Sequence, residues 1–402
     1  MRRTVTLGLI LLSMMLLTCA VSSAATVKSG LWNGRKSIIL ENRYLKVTVL
    51  PDANGRIAEY IYKPSSQSLF LPYVEKGGDV PLLTLVGIAE HNSGGWDELF
   101  VETGLQMNKI NYAYKVERSA RRASVILTRP AGAGGVGLVR TMTLDDDSLA
   151  LRIDIKVKSG EQGTASLWAH GLTLPCGDFD FDDYSIIPAC KNTVQSPVIT
   201  VHSTKLVPAD SLLIRPSKNG TSCMYQLGQP WFAVKDAKRD FAFGHIIRPS
   251  AVTAERTVFS CWSGKLWGAP AMTQELFLPT VKAKEERTFS LYIAALPGMK
   301  GVSWLGTDAA VYTTGLYKGE GKVASVTILA LKKITNATLT ISNAAGWKQC
   351  IPIKKLAPGE RVAKRITLPA NAAGQNKSFL GKWSFGGSTE EFVFFKPQRI
   401  DE

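Results

Sequence analysis

Apolar and polar residues alternate one by one along much of the chain. Leu149, Leu151, Ile153, Ile155 and Val157 are separated by Ala150, Arg152, Asp154 and Lys156. A period of two puts one set on one face of a sheet and the other set on the opposite face. Leu45, Val47 and Val49 alternate with Lys46 and Thr48 in the same way. Phe289, Leu291 and Ile293 repeat the pattern late in the chain, as do Leu339 and Ile341. Turn-forming pairs separate these runs: Asn33-Gly34, Asn54-Gly55, Asn219-Gly220 and Pro358-Gly359. No apolar stripe at helical spacing follows the first 25 residues. A helix-rich or α/β fold is therefore disfavoured, and an all-β chain of sandwiches or barrels is predicted.

The N-terminus breaks the pattern. Arg2 and Arg3 precede an apolar run from about Val5 to Ala20, closed by Ser22, Ser23, Ala24 and Ala25. A basic head, an apolar middle and a small-residue end make a secretory leader over 1–25. The run is short for a membrane span of about 20 residues, so cleavage is expected, with a secreted or periplasmic product and no membrane span afterwards. Cys19 offers a lipoprotein alternative, but Thr18 is bulky for a lipobox. A large domain is expected over 26–300, ending in the strand-like block before Leu296-Pro297-Gly298. A second of about 100 residues, the size of one small sandwich, is expected over 305–402. Pro397 and the polar end Arg399–Glu402 read as a frayed tail.

The 402 residues are 20% charged and 45% hydrophobic, a globular composition. The formal charge is +15, and residues 305–402 alone carry fourteen basic and seven acidic side chains. Such an excess suits anionic partners. The cations are scattered and accompany no nucleic-acid motif, so anionic glycans or cell surfaces are preferred to nucleic acid. Five cysteines follow the leader: Cys176, Cys190, Cys223, Cys261 and Cys350. Export permits disulfides, and Cys176 with Cys190 is the expected pair, closest in sequence. No Cys-x-x-Cys occurs, and no metal or cofactor is expected.

Candidate chemistry is sparse. Gly132, Gly134, Gly135 and Gly137 follow Pro130 and open no helix, so they read as a hairpin loop rather than a phosphate cradle. Asp178, Asp180, Asp182 and Asp183 begin like a calcium loop. Asp183 stands where glycine is needed and Ala189 where glutamate is needed, so a solvated acidic run is preferred and a different calcium site stays open. Three segments are more informative. Residues 40–57, from Leu40 to Ile57, read as strand, turn and strand around Asn54-Gly55. Gly94-Gly95-Trp96-Asp97-Glu98-Leu99-Phe100 sets an aromatic plate beside two carboxylates, a pairing suited to the apolar faces and hydroxyls of sugars. Trp168-Ala169-His170 places an indole and an imidazole on one strand face.

These segments resemble the galactose mutarotase-like superfamily, which includes the aldose 1-epimerases, over about residues 36–296. The Gly55-Arg56-Ile57 turn is similar to the family's first hairpin, and Gly95–Phe100 to a stretch in epimerase-like members. Trp168-Ala169-His170 matches the strand of the family's catalytic histidine. Gln274-Glu275-Leu276-Phe277 resembles its late glutamate strand. The resemblance implies a large β-supersandwich with a sugar cleft, followed here by a small immunoglobulin-like β-sandwich. It implies His170 as general acid and Glu275 as general base. Arg56, His91, Trp96, Asp97, Glu98 and Trp168 become the substrate-binding residues. The first reading of function is a secreted carbohydrate-binding protein without turnover. The alternatives are an active epimerase-like enzyme using His170 and Glu275, and an envelope assembly protein whose C-terminal sandwich docks a partner.

Overall fold

The computed structural model describes residues 24–70, 94–100, 111–129, 136–161, 167–173, 184–187, 210–214, 221–248, 258–266, 269–277, 281–316, 323–368, 379–394 and 396–400. Among them there is no α-helix, only a 3-10 turn at Lys63–Ser65. Among the described residues no helix is long and apolar enough to cross a membrane. The strands form two ten-stranded sheets and two four-stranded ones. The predicted all-β class, a large sandwich followed by a small one, is the observed one.

The first large sheet runs from Thr26–Trp32 through Arg35–Glu41, Leu45–Leu50, Arg56–Tyr62, Gly95–Phe100, Leu167–Thr173, Ala269–Phe277 and Val258–Leu266 to Thr221–Gln226. The second is centred on Phe241–Ile247, Glu286–Pro297, Ala150–Lys158 and Gly137–Asp145. One continuous core joins them. Leu151, Ile153, Ile155 and Val157 are buried in it, whereas the intervening Arg152 and Lys156 stay exposed. Their partners across the ladder, Phe289, Leu291 and Ile293, are buried too. Tyr60 crosses from sheet to sheet: its hydroxyl donates to Ile293 O at 2.6 Å and accepts from Leu151 N at 3.2 Å. Burial holds the Tyr60 hydroxyl in its neutral, donating form.

A separate core fills the small sandwich. Trp304 stacks on Phe392 at 4.4 Å, among Val311, Val326, Leu339, Ile341 and Trp383. Ala309–Thr314, Val323–Ala330 and Arg361–Thr367 share one of its sheets; Lys348–Leu356, Ile334–Asn343, Phe379–Phe385 and Ser388–Phe394 form the other. The chain changes sheet after Val323–Ala330, after Lys348–Leu356 and after Arg361–Thr367, as in immunoglobulin-like sandwiches.

One expectation changes. Pro397, Arg399 and Ile400 do not fray: Lys396–Ile400 is a strand, parallel to Asp210–Ile214 at the edge of the second large sheet. Ladder bonding thus returns the chain end to the first sandwich, overriding a polar composition. Cys176, Cys190 and the Asp178–Asp183 run lie outside the described residues, as does most of the leader. Cys350 is exposed and free. The register sets Cys223 directly opposite Cys261. Opposed antiparallel Cα atoms stand about 4.5–5.5 Å apart, within the range a disulfide spans. After air oxidation, a non-reducing peptide map is expected to contain a Cys223–Cys261 linked peptide. Only unlinked peptides would contradict this.

His245 is a buried titratable group of the large sandwich. It stacks on Phe232 at 4.5 Å, its Nδ1 has no partner among the described residues, and burial lowers its pKa to about 3. The unfolded chain binds a proton near pH 6.5 that the folded chain refuses. Stability is therefore full above that pH and falls as pH drops toward 3. Between pH 6 and 4, native unfolding free energy should fall more steeply than that of His245→Leu, by about 1.4 kcal/mol per pH unit. Urea melts measure this; equal slopes would contradict it.

Candidate functional site

The site begins at the Asn54-Gly55 turn between Leu45–Leu50 and Arg56–Tyr62. Both residues adopt left-handed φ of 59°, which asparagine and glycine tolerate best. Arg140, buried on the second large sheet, donates Nη2 to Asn54 O at 3.0 Å and to Gly55 O. A Cβ at Gly55 would strike that guanidinium, so glycine is required twice over. The turn is thereby held from the interior.

Arg56 leaves the turn on the opposite face. It donates Nη1 to Gly94 O at 2.7 Å and pairs through Nη2 with Asp97 Oδ2 at 2.5 Å. Asn54 Nδ2 also reaches Asp97 Oδ2, at 3.4 Å. Arg56 and Asp97 are 1% and 0% exposed. Gly94 and Gly95 are left-handed, and a Cβ at Gly95 would run into Ile57 O. These two glycines let Gly95–Phe100 approach Arg56–Tyr62 closely enough to form the pair.

From Asp97 the register extends in a line. Asp97 lies opposite His170, His170 opposite Glu275, and Glu275 opposite Ser260. Directly paired residues share a sheet face with Cβ atoms about 4.5–5.5 Å apart. The opposite face of the same strands carries Trp96 and Leu276, both in the core between the sheets. The row therefore occupies the face turned away from that core. Trp168 precedes His170 by two residues and shares its face; Trp262 follows Ser260 by two and does likewise. Two tryptophans thus flank a row of acidic, basic and hydroxyl residues.

Several expected binding residues are placed elsewhere. Trp96 is not an exposed aromatic plate: it is 1% exposed in the core, with the Arg140 guanidinium carbon 5.9 Å from its ring centroid. Strand alternation puts Glu98 on the face of Trp96, away from the row. Arg56 is sealed against Asp97 rather than open on a rim. His91 lies outside the described residues. His170, Glu275, Asp97 and Trp168 are brought to one face. Ser260 and Trp262 were not singled out for a site, because Val258–Leu266 carries no motif and only its register places them. Among the described residues no three His, Cys, Asp or Glu side chains gather as metal ligands would.

No protein-family model matches the chain, and no curated protein matches it. Solved structures do. A galactose mutarotase-like protein from Clostridium acetobutylicum superposes with a TM-score of 0.49 at 10% identity, over 68% of this chain and 98% of that one. A galactose mutarotase related enzyme from Lactobacillus acidophilus gives 0.48 at 13% identity, over 67% and 100%. A TPR-domain containing protein from Parabacteroides distasonis gives 0.49 at 13% identity over 68% of this chain, which spans about half (53%) of that longer protein. At such identities the likeness is one of fold alone, and the site is argued from its own residues.

Removing Asp97 would leave the Arg56 charge buried and unpaired. Asp97→Ala is expected to cost about 3–5 kcal/mol, and Arg56→Met with Asp97→Leu much less than the single change. Chemical denaturation of both variants checks this. A double variant no more stable than Asp97→Ala would contradict it.

Proposed function

We propose that the outer face of the first large sheet binds an aldose sugar, and that His170 and Glu275 exchange the protons of its ring opening. The carrying observation is the register: His170 and Glu275 are direct partners on one face, with Trp168 and Trp262 to either side. The chemistry suits that spacing. The ring oxygen and the anomeric hydroxyl hang on one carbon, so an acid and a base serving both must be neighbours. His170 gives a proton to the ring oxygen while Glu275 takes the anomeric hydroxyl proton. The carbon–ring-oxygen bond breaks, an open aldehyde forms, and rotation followed by the reverse steps closes the other anomer. Asp97 pairs with His170 in the register on the side away from Glu275, and Arg56 neutralises much of its charge. The reading takes the protein as exported, on the leader of residues 1–25.

Binding without turnover is the second reading. It is favoured by the burial of Arg56 and Trp96, which removes two expected cleft residues. Anomer exchange by NMR across a panel of aldoses separates the two. The native chain is expected to accelerate exchange of at least one aldose. His170→Ala and Glu275→Gln should each lower that rate about 100-fold or more with folding unchanged. Sugar binding with no acceleration establishes the second reading, and neither binding nor acceleration would contradict both.

A further inference from the structure

A second polar cleft, of about 590 Å³, opens where the small sandwich meets the large one. We propose that it binds an anionic saccharide, with Lys300 and Arg361 holding the acidic groups, Arg365 beside the lining opposite Ser325, and Tyr312, Thr327 and Ser325 facing the sugar rings. The site lies on another sandwich and does not rest on the His170–Glu275 reading.

The cleft floor is the outer face of a three-strand ladder. Tyr312 lies opposite Thr327, and Thr327 opposite Ala363; one step along, Thr314 lies opposite Ser325, and Ser325 opposite Arg365. The alternate residues Val311, Val326, Ile328, Val362 and Ile366 fill the small sandwich's core. The outward rows therefore offer hydroxyls, a half-buried phenol ring and a small alanine that leaves room. Arg361 and Arg365 stand on either side of Ala363 along their strand, and both are exposed.

Arg361 is also held in position. Its Nη1 donates to Gly298 O at 2.5 Å, and a Cβ on Gly298 would collide with the guanidinium. Gly298 has φ of +70°. The glycine thus lets the guanidinium lie against the backbone, while its remaining donors are left for a ligand. An arginine fixed this way loses little side-chain freedom on binding. Lys300 adds a second cation to the lining, 71% exposed, with Asp240 3.9 Å away. Glu360, next to Arg361 in sequence, is turned to the Ala357 N–H at 2.8 Å.

No carboxylate lines this cleft. The contrast is with another cleft at the same junction, about 490 Å³, which Asp308 and Glu390 line along with Arg248 and Lys332. Its charges are balanced, and Lys332 is already paired with Asp308 at 2.5 Å. Of these two clefts, the Tyr312 cleft has a lining with cations and no carboxylate, beside hydroxyls and an aromatic ring. Two cations in the lining, with Arg365 beside them, suit a short acidic saccharide better than the long cationic track of a nucleic-acid strand.

Calorimetric titration of the full chain tests this with three oligosaccharides of equal length: a uronate, a sulfated one and a neutral one. At least one charged oligosaccharide is expected to bind about tenfold or more tightly than the neutral one. Lys300→Glu and Arg365→Glu should each weaken that binding about fivefold or more at an unchanged melting temperature, and Lys354→Glu, exposed on the opposite sheet, less than about twofold. The stronger charged arm names the acidic group, carboxylate or sulfate. The proposal is overturned if neither charged oligosaccharide binds or the neutral one binds equally. It is also overturned if Lys354→Glu weakens binding as much as the cleft variants, or if an oligonucleotide of matching charge binds more tightly than either.

Discussion

The buried Arg56–Asp97 pair is the constraint on which the site depends. Two charges sealed from water are tolerable only when each is fully engaged by the other and by further hydrogen bonds. Gly94 O and Asn54 supply those bonds. Satisfying them fixes the distance between Arg56–Tyr62 and Gly95–Phe100, and that distance requires two left-handed glycines. Once Gly95–Phe100 is in place, its ladder with Leu167–Thr173 sets His170 opposite Asp97, and the next ladder sets Glu275 opposite His170. A local electrostatic requirement is thus converted by sheet register into a line of chemical groups.

The interior supports that line from behind. Arg140 reaches from the second large sheet to the carbonyls of the Asn54-Gly55 turn, and its guanidinium lies near the rings of Trp96 and Tyr112. Tyr60 inserts its hydroxyl into the opposite ladder. These contacts are the polar exceptions in a core of aliphatic and aromatic side chains. They tie the two sheets together by hydrogen bonds that cross the core.

The strands were legible in the sequence because period-two burial needs no knowledge of partners. Leu151 to Val157 and Leu339 to Ile341 fall where the alternation put them. So did the turn at Asn54-Gly55, whose residues are those that accept left-handed φ. The fate of Trp96 was not legible. Flanking glycines and carboxylates suggested an open loop, yet the same glycines serve close strand packing and turn the indole inward. Arg56 and Asp97 read as substrate-binding residues of a cleft, because sequence does not reveal that residues 41 apart will be sealed against each other. Trp262 and Ser260 needed the register of a strand without a motif. The C-terminal strand was hidden for a similar reason: a parallel pairing with a segment nearly two hundred residues earlier leaves no local signature.

The account's central claim is that the face bearing His170 is a sugar site. The chain holds only four histidines, so imidazole NMR resolves them, with His170→Gln giving the assignment. Titration with an aldose is expected to shift the His170 resonance in a saturable way and to leave the core His245 resonance unmoved. A folded protein whose His170 signal stays fixed across a panel of aldoses would contradict the claim.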